Sequence, residues 1–107
     1  MAAKTAQDIP VACALRDAEL EERVTDIRPL LATTEEICEL DDGYAFRFAA
    51  ETETAAALLD FALFERRCCA FLSFELILEA AHGPLWLQIR GSSPGAKEFA
   101  AGFIPER

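Results

Sequence analysis

The chain has 107 residues, of which 52% are hydrophobic and 27% charged, with a formal net charge of −9. That length fits one domain around one modest core, and the composition is globular rather than disordered. Ten basic residues against nineteen acidic ones, with no basic cluster beyond Arg66-Arg67, argue against nucleic acid or an anionic membrane surface as partner, because both need Lys and Arg to displace counterions.

The opening residues Met1–Pro10 carry one lysine and no apolar run, so they do not read as a secretory signal. Residues 1–12 are expected to be a flexible lead to a single domain covering 1–107. From Asp17 to Leu31 the apolar residues Leu20, Val24, Ile27 and Leu31 recur at helical spacing, with Asp17 as N-cap and Pro29 limiting the last turn. Thr33–Leu40 and Tyr44–Ala49 read as a hairpin, turned by Asp41-Asp42-Gly43 and presenting Tyr44, Phe46 and Phe48 inward.

A second helix is predicted over Glu53–Phe71, capped by Thr52. Its apolar stripe is Ala57, Phe61, Phe64, Cys68 and Phe71, with Leu58, Ala62, Glu65 and Cys69 in the neighbouring row. Ser73–Ala80 and Leu85–Arg90 form a second hairpin around Ala81-His82-Gly83-Pro84. Phe74, Leu76 and Leu78 share one of its faces, as do Leu85, Leu87 and Ile89. The other face carries Ile77 and Trp86, which need cover from the first helix or from a partner chain, a second copy included. Ser93 and Pro94 then start a short helix with Ala96, Phe99, Ala100 and Phe103 on its apolar side. The order α-ββ-α-ββ-α implies an α+β domain with an antiparallel sheet, and it contains strand–strand–helix twice.

Cys13, Cys38, Cys68 and Cys69 are the four cysteines. With no export signal read at the start, a cytoplasmic setting with reduced thiols is expected, which favours metal or redox chemistry over a disulfide framework. Adjacent residues of a regular helix point about 100° apart, so Cys68 and Cys69 can face one site only if the helix loosens there. Phe71, Leu72 and the strand that follows place its end at that point. Arg66 and Arg67 are expected to lower the thiol pKa, and Cys69, at the edge of the stripe, to be the more accessible sulfur. Cys13 is the candidate third ligand, on a segment that could fold back over the second helix. Cys38, beside an inward Ile37, is expected to face outward with a lesser role. Glu65, one turn before Cys69, reads as an outer carboxylate or general acid, with a surface partner for Arg66 or Arg67 as the plainer reading. His82, the lone histidine, reads as an exposed turn residue. No Cys-x-x-Cys spacing occurs, so neither a zinc ribbon nor a thioredoxin-type site is indicated.

The segment Glu65-Arg66-Arg67-Cys68-Cys69-Ala70-Phe71-Leu72-Ser73-Phe74-Glu75-Leu76 resembles a group of small bacterial proteins with a glutamate–cysteine–cysteine–proline–phenylalanine signature. The resemblance extends over Cys13-Ala14-Leu15, Asp42-Gly43-Tyr44-Ala45-Phe46-Arg47-Phe48, Gly83-Pro84-Leu85-Trp86-Leu87 and Gly95-Ala96-Lys97-Glu98-Phe99. Some members of the group are associated with mercury-resistance regulators, so the resemblance implies handling of a thiophilic metal. This chain departs from it at Ala70, where the group has a proline that would fix the break after the cysteine pair.

Two functions follow as expectations. The first is a binding protein for a soft metal ion, Hg(II) or Cu(I) ahead of Zn(II), with Cys13, Cys68 and Cys69 as ligands. The second is a thiol redox protein or cysteine-nucleophile enzyme centred on Cys69, with Cys68 or Cys13 as resolving thiol. No histidine stands near the pair in sequence to activate it, which disfavours thiol hydrolase chemistry. A structural or partner-binding domain using the Trp86 face is a third reading.

Overall fold

Alternating residues become strands here because each strand buries one side only. In the computed structural model, which describes residues 27–105, helical residues 27–31 (α1) lead into β1 (Glu36–Leu40) and β2 (Gly43–Phe48). Helix α2 (Thr52–Cys68), β3 (Ser73–Leu78), β4 (Leu85–Arg90) and α3 (Ala96–Ala100) follow, and a 3-10 turn (Ala101–Phe103) ends the sequence of elements. The order is the α-ββ-α-ββ-α expected, around a four-stranded antiparallel sheet with strand order β1-β2-β4-β3. The expected flexible lead and the start of the first helix lie outside the described residues.

The two hairpins sit side by side, joined through β2 and β4. Tyr44 pairs with Ile89, Phe46 with Leu87 and Phe48 with Leu85. Because each hairpin is followed by a helix, the order and strand directions relate β1-β2 to β3-β4 as two halves about an axis between the central strands. No repeated sequence accompanies that symmetry. The inward face contributes Phe46, Phe48, Leu85, Leu87 and Ile89 to the core. Ile37 and Tyr44 pack against it from one side, Phe74 and Leu76 from the other. Leu78 is on the same side by register yet 64% exposed, because it ends an edge strand beyond the cover of the helices.

The register also defines the outward rows. Glu36, Arg47, Trp86 and Ile77 form one, and Cys38, Ala45, Gln88 and Glu75 form the next. Trp86 is half-buried between Arg47 and Ile77. Arg90 bridges Asp42 at 2.8 Å and Glu75 at 3.6 Å, so it ties the β1–β2 turn to the far edge strand. These pairs are exposed enough for each to contribute only about 0–1 kcal/mol.

Several element ends differ from expectation, each for a local reason. The β1–β2 connection is the two-residue turn Asp41-Asp42, and Gly43 belongs to β2 opposite Arg90. Its requirement is close approach: a Cβ there would run into the Ile89 carbonyl oxygen. Helix α2 begins one residue early, since the Ala55 N–H already donates to the Glu51 carbonyl at 3.0 Å. Thr52 is thus the first helical residue, and the N-cap Glu51 makes no side-chain capping bond. Strand β3 ends at Leu78, where the chain turns through Ala81 and His82, both at positive φ. Helix α3 starts at Ala96 and not at Pro94, because Gly95 at φ 87° interrupts right-handed winding.

The helices close the core from one side of the sheet. Phe61 of α2 meets Phe74 of β3 edge-on at 6.1 Å and Phe103 at 5.5 Å. Such contacts add about 0.5–1.5 kcal/mol beyond area burial. Helix α3 packs on β2 and β4, with Ala96, Ala100 and Phe103 buried and Phe99 partly so. Lys97 of α3 reaches Glu39 of β1 at 2.7 Å.

Candidate metal centre

The last turn of α2 carries the least ordinary composition of the buried face. That face consists of Leu58, Phe61, Glu65 and Cys68, at steps of three, four and three. It takes alternate members of the two rows expected from sequence. Ala57 is exposed and Phe64 only half-buried, whereas Glu65 is 4% exposed. The plainer reading of Glu65 as a surface partner of Arg66 or Arg67 is therefore incorrect. Both arginines point to solvent while the carboxylate is in the core.

The helix stops at Cys68. Cys69 has φ −115° and ψ 70°, outside helical geometry, although its N–H still donates to the Glu65 carbonyl at 2.6 Å. The Leu72 N–H then donates to the Cys69 carbonyl at 3.0 Å, a turn that feeds β3. Rotation at Cys69 removes the divergence that two adjacent helical side chains would have. Both cysteines end in the core, with Cys68 2% and Cys69 1% exposed. A carboxylate oxygen of Glu65 and the sulfurs of Cys68 and Cys69 all lie within 4.8 Å of one another. The break forms without the proline that the resembling group has at Ala70.

This spacing suits a shared ion. Two donors each about 2.3 Å from one metal stand at most about 4.6 Å apart, and closer in a tetrahedral site. A small side-chain adjustment would bring all three to bonding distance.

The electrostatics reverse an expectation. Burial pushes the Cys69 thiol up to about 12, and the nearby Glu65 carboxylate adds to the rise. Arg66 and Arg67 do not counter this, because they are in water and the sulfur is not. Cys69 is therefore neither the accessible sulfur nor an activated one in the metal-free fold. A thiolate at this position needs a cation close by.

The four cysteines divide by setting. Cys68 is held in a disulfide whose other half lies outside the described residues, whereas Cys38 and Cys69 are free thiols. Cys13 lies outside the described residues. Cys38 is on the outward face of β1, as expected beside an inward Ile37. Its Sγ donates to the Glu36 carboxylate at 3.4 Å, and that bond is the leading cause of its raised pKa. It takes no part in the cluster. His82 is exposed in the β3–β4 turn, as expected.

Two surface clefts lie elsewhere. One runs along Ile27–Ala32 and Gly102–Pro105, the other between the start of α2 and the β3–β4 turn, and neither is lined by Glu65, Cys68 or Cys69. The cluster is thus a core site and not the floor of an open cleft. Of its members, sequence reasoning missed only the depth of Glu65. The available signal was its spacing of seven from Leu58 and three before Cys68, which puts it on the buried line. No helix among the described residues is long and apolar enough to cross a membrane. No family model, curated protein or solved structure matches the chain.

Proposed function

We propose that this chain binds a thiophilic metal ion through Cys68 and Cys69, with Cys13 as the third sulfur. The observation that carries the reading is the convergence of two cysteine sulfurs and a carboxylate within 4.8 Å in the core, at a helix end whose backbone turns to allow it. Soft thiolates select thiophilic ions such as Hg(II), Cu(I) and Zn(II). Cys13 enters because Cys38 and Cys69 are free while Cys68 is bonded to sulfur, and the sequence has only one further cysteine. Its own place lies outside the described residues.

Binding requires the reduced protein. A disulfide sulfur has no negative charge to donate, so two electrons from a dithiol must first convert the bond to two thiols as the dithiol closes its own disulfide. The incoming ion then displaces the thiol protons, which offsets the resistance of Cys69 to ionisation.

Thermal melts of the reduced protein with Hg(II), Cu(I) and Zn(II) test this reading. An ion that binds the folded state raises Tm by mass action. Cys68→Ser and Cys69→Ser should each abolish most of that rise, Cys13→Ser should weaken it, and Cys38→Ser should leave it nearly intact. A damaging Cys38→Ser, or four variants that all behave like the parent, would remove the proposed ligand set.

A second reading is thiol redox chemistry, favoured by the disulfide at Cys68 beside the free Cys69. Against it stands the high pKa of Cys69, which leaves little thiolate to attack a neighbouring disulfide. A stable mixed disulfide with a small thiol, in place of a retained ion, would support that reading.

A further inference from the structure

Glu65 occupies a line of α2 that is otherwise apolar or sulfur-bearing, between Phe61 and Cys68. It is nearly as buried as the two cysteines. A carboxylate at that depth costs free energy unless charge or hydrogen bonding offsets it. Its oxygen lies within 4.8 Å of both sulfurs. Once those sulfurs ionise to receive a metal, three negative groups share one buried site.

We propose that Glu65 is itself a ligand of the ion, so that the site takes a divalent ion of the Zn(II) and Cd(II) kind in preference to Cu(I). This rests on the metal-binding reading above. Charge decides between the classes: two thiolates and one carboxylate carry three negative charges. A divalent ion leaves one of these unbalanced in the core, whereas Cu(I) leaves two. At buried positions each unbalanced charge is expensive. Donor chemistry points the same way. Zn(II) accepts carboxylate oxygen at about 2.0–2.2 Å beside thiolate sulfur at about 2.3 Å. Cu(I) is suited by sulfur alone and gains little from the hard oxygen. Hg(II) is divalent but can be held by the sulfurs without Glu65. The one-turn spacing contributes too, since residues three and four apart share a helix face. Glu65 is therefore aligned with Cys68, and the break in the backbone turns Cys69 to the same point.

The test is a competition titration of the reduced full-length chain with Cd(II) and with Hg(II), run on the parent and on Glu65→Gln. Cd(II) affinity should fall by at least about tenfold in the variant, while Hg(II) affinity changes by less than about threefold. Parent binding of both ions with no selective loss in Glu65→Gln would overturn the role of Glu65 and leave the sulfur site standing. A parent that binds neither ion would overturn the metal reading and this inference with it. X-ray absorption on the Cd(II)-loaded parent gives a result independent of how the variant folds. Oxygen together with sulfur around the metal supports the proposal, and sulfur alone overturns it. Oxygen that persists in Glu65→Gln would come from water and would also overturn it.

Discussion

Cys38 and Cys69 carry the same functional group in opposite surroundings. Cys38 is on the outward row of an edge strand, half-buried, with its Sγ bonded to the Glu36 carboxylate. Cys69 is 1% exposed at the end of α2, beside Glu65 and Cys68. Both pKa values are raised, but for different reasons: a hydrogen bond in the first case, burial in the second. A carboxylate beside a thiol is thus no sufficient sign of a metal site. What distinguishes the α2 end is convergence of several donors away from water.

The largest expected consequence of that difference is in reactivity. Alkylation at neutral pH should label Cys38 at least about a hundredfold faster than Cys69, because thiolate fraction and access both favour it. Site-resolved mass measurement of labelling gives the ratio. Comparable rates would mean that the end of α2 opens readily, and the contrast between the two settings would fail.

Reduction should separate the settings next. With an ion at about one hundred times its Kd, stabilisation by mass action is about 2.7 kcal/mol. We expect that increment in chain treated with a dithiol and none in untreated chain, where Cys68 is in a disulfide. Thermal melts with and without reductant measure it. An equal increment in both states would show that Cys68 is not a ligand.

A smaller effect concerns alkaline pH. The folded pKa of Cys69 is raised from 9.0 to about 12. The unfolded thiol therefore loses its proton at lower pH than the folded one. The stability contributed by the buried neutral thiol is complete below about pH 9 and declines as pH rises toward about 12. The limiting slope is about 1.4 kcal/mol per pH unit for one group. Denaturant melts from pH 8 to 10.5 on reduced, metal-free chain should show the decline, and Cys69→Ala should flatten it. An unchanged slope in Cys69→Ala would place the titrating group elsewhere.

The smallest effect is at a position far from any thiol. His82 adopts φ 57° in the β3–β4 turn, which a residue with a Cβ holds at a cost of about 1 kcal/mol. His82→Gly should stabilise the fold by roughly that amount, less the entropy that glycine adds to the unfolded chain, and should leave ion binding unchanged. A change in ion affinity in that variant would bring the lone histidine into the site.

Much of the fold was legible because periodicity and turn chemistry report on burial directly. Leu85, Leu87 and Ile89 alternate and are buried, and the inward Ile37 correctly put Cys38 outside. The face of α2 was less legible. Hydrophobicity selected Ala57 and Phe64, whereas the fold buries Leu58 and Glu65. A pattern that ranks residues by apolar character cannot place a carboxylate in a core, since its presence there depends on donors brought close by the fold. The same limit applies to Cys69. Arg66 and Arg67 beside it in sequence suggested an activated thiol, but sequence neighbours on a helix face different ways, and these two face water. The loosening at Cys69 was legible from the following strand, and the lack of proline at Ala70 did not prevent it.

The central claim is that the thiols at the end of α2 act on one ion as a unit while Cys38 stands apart. Native mass measurement of the reduced chain after brief exposure to Zn(II), Cd(II) or Hg(II) and removal of the excess tests it most directly. The account predicts one retained ion per chain in the parent and in Cys38→Ser, and none in Cys68→Ser or Cys69→Ser. Retention in all three variants, or its loss in Cys38→Ser alone, would contradict it.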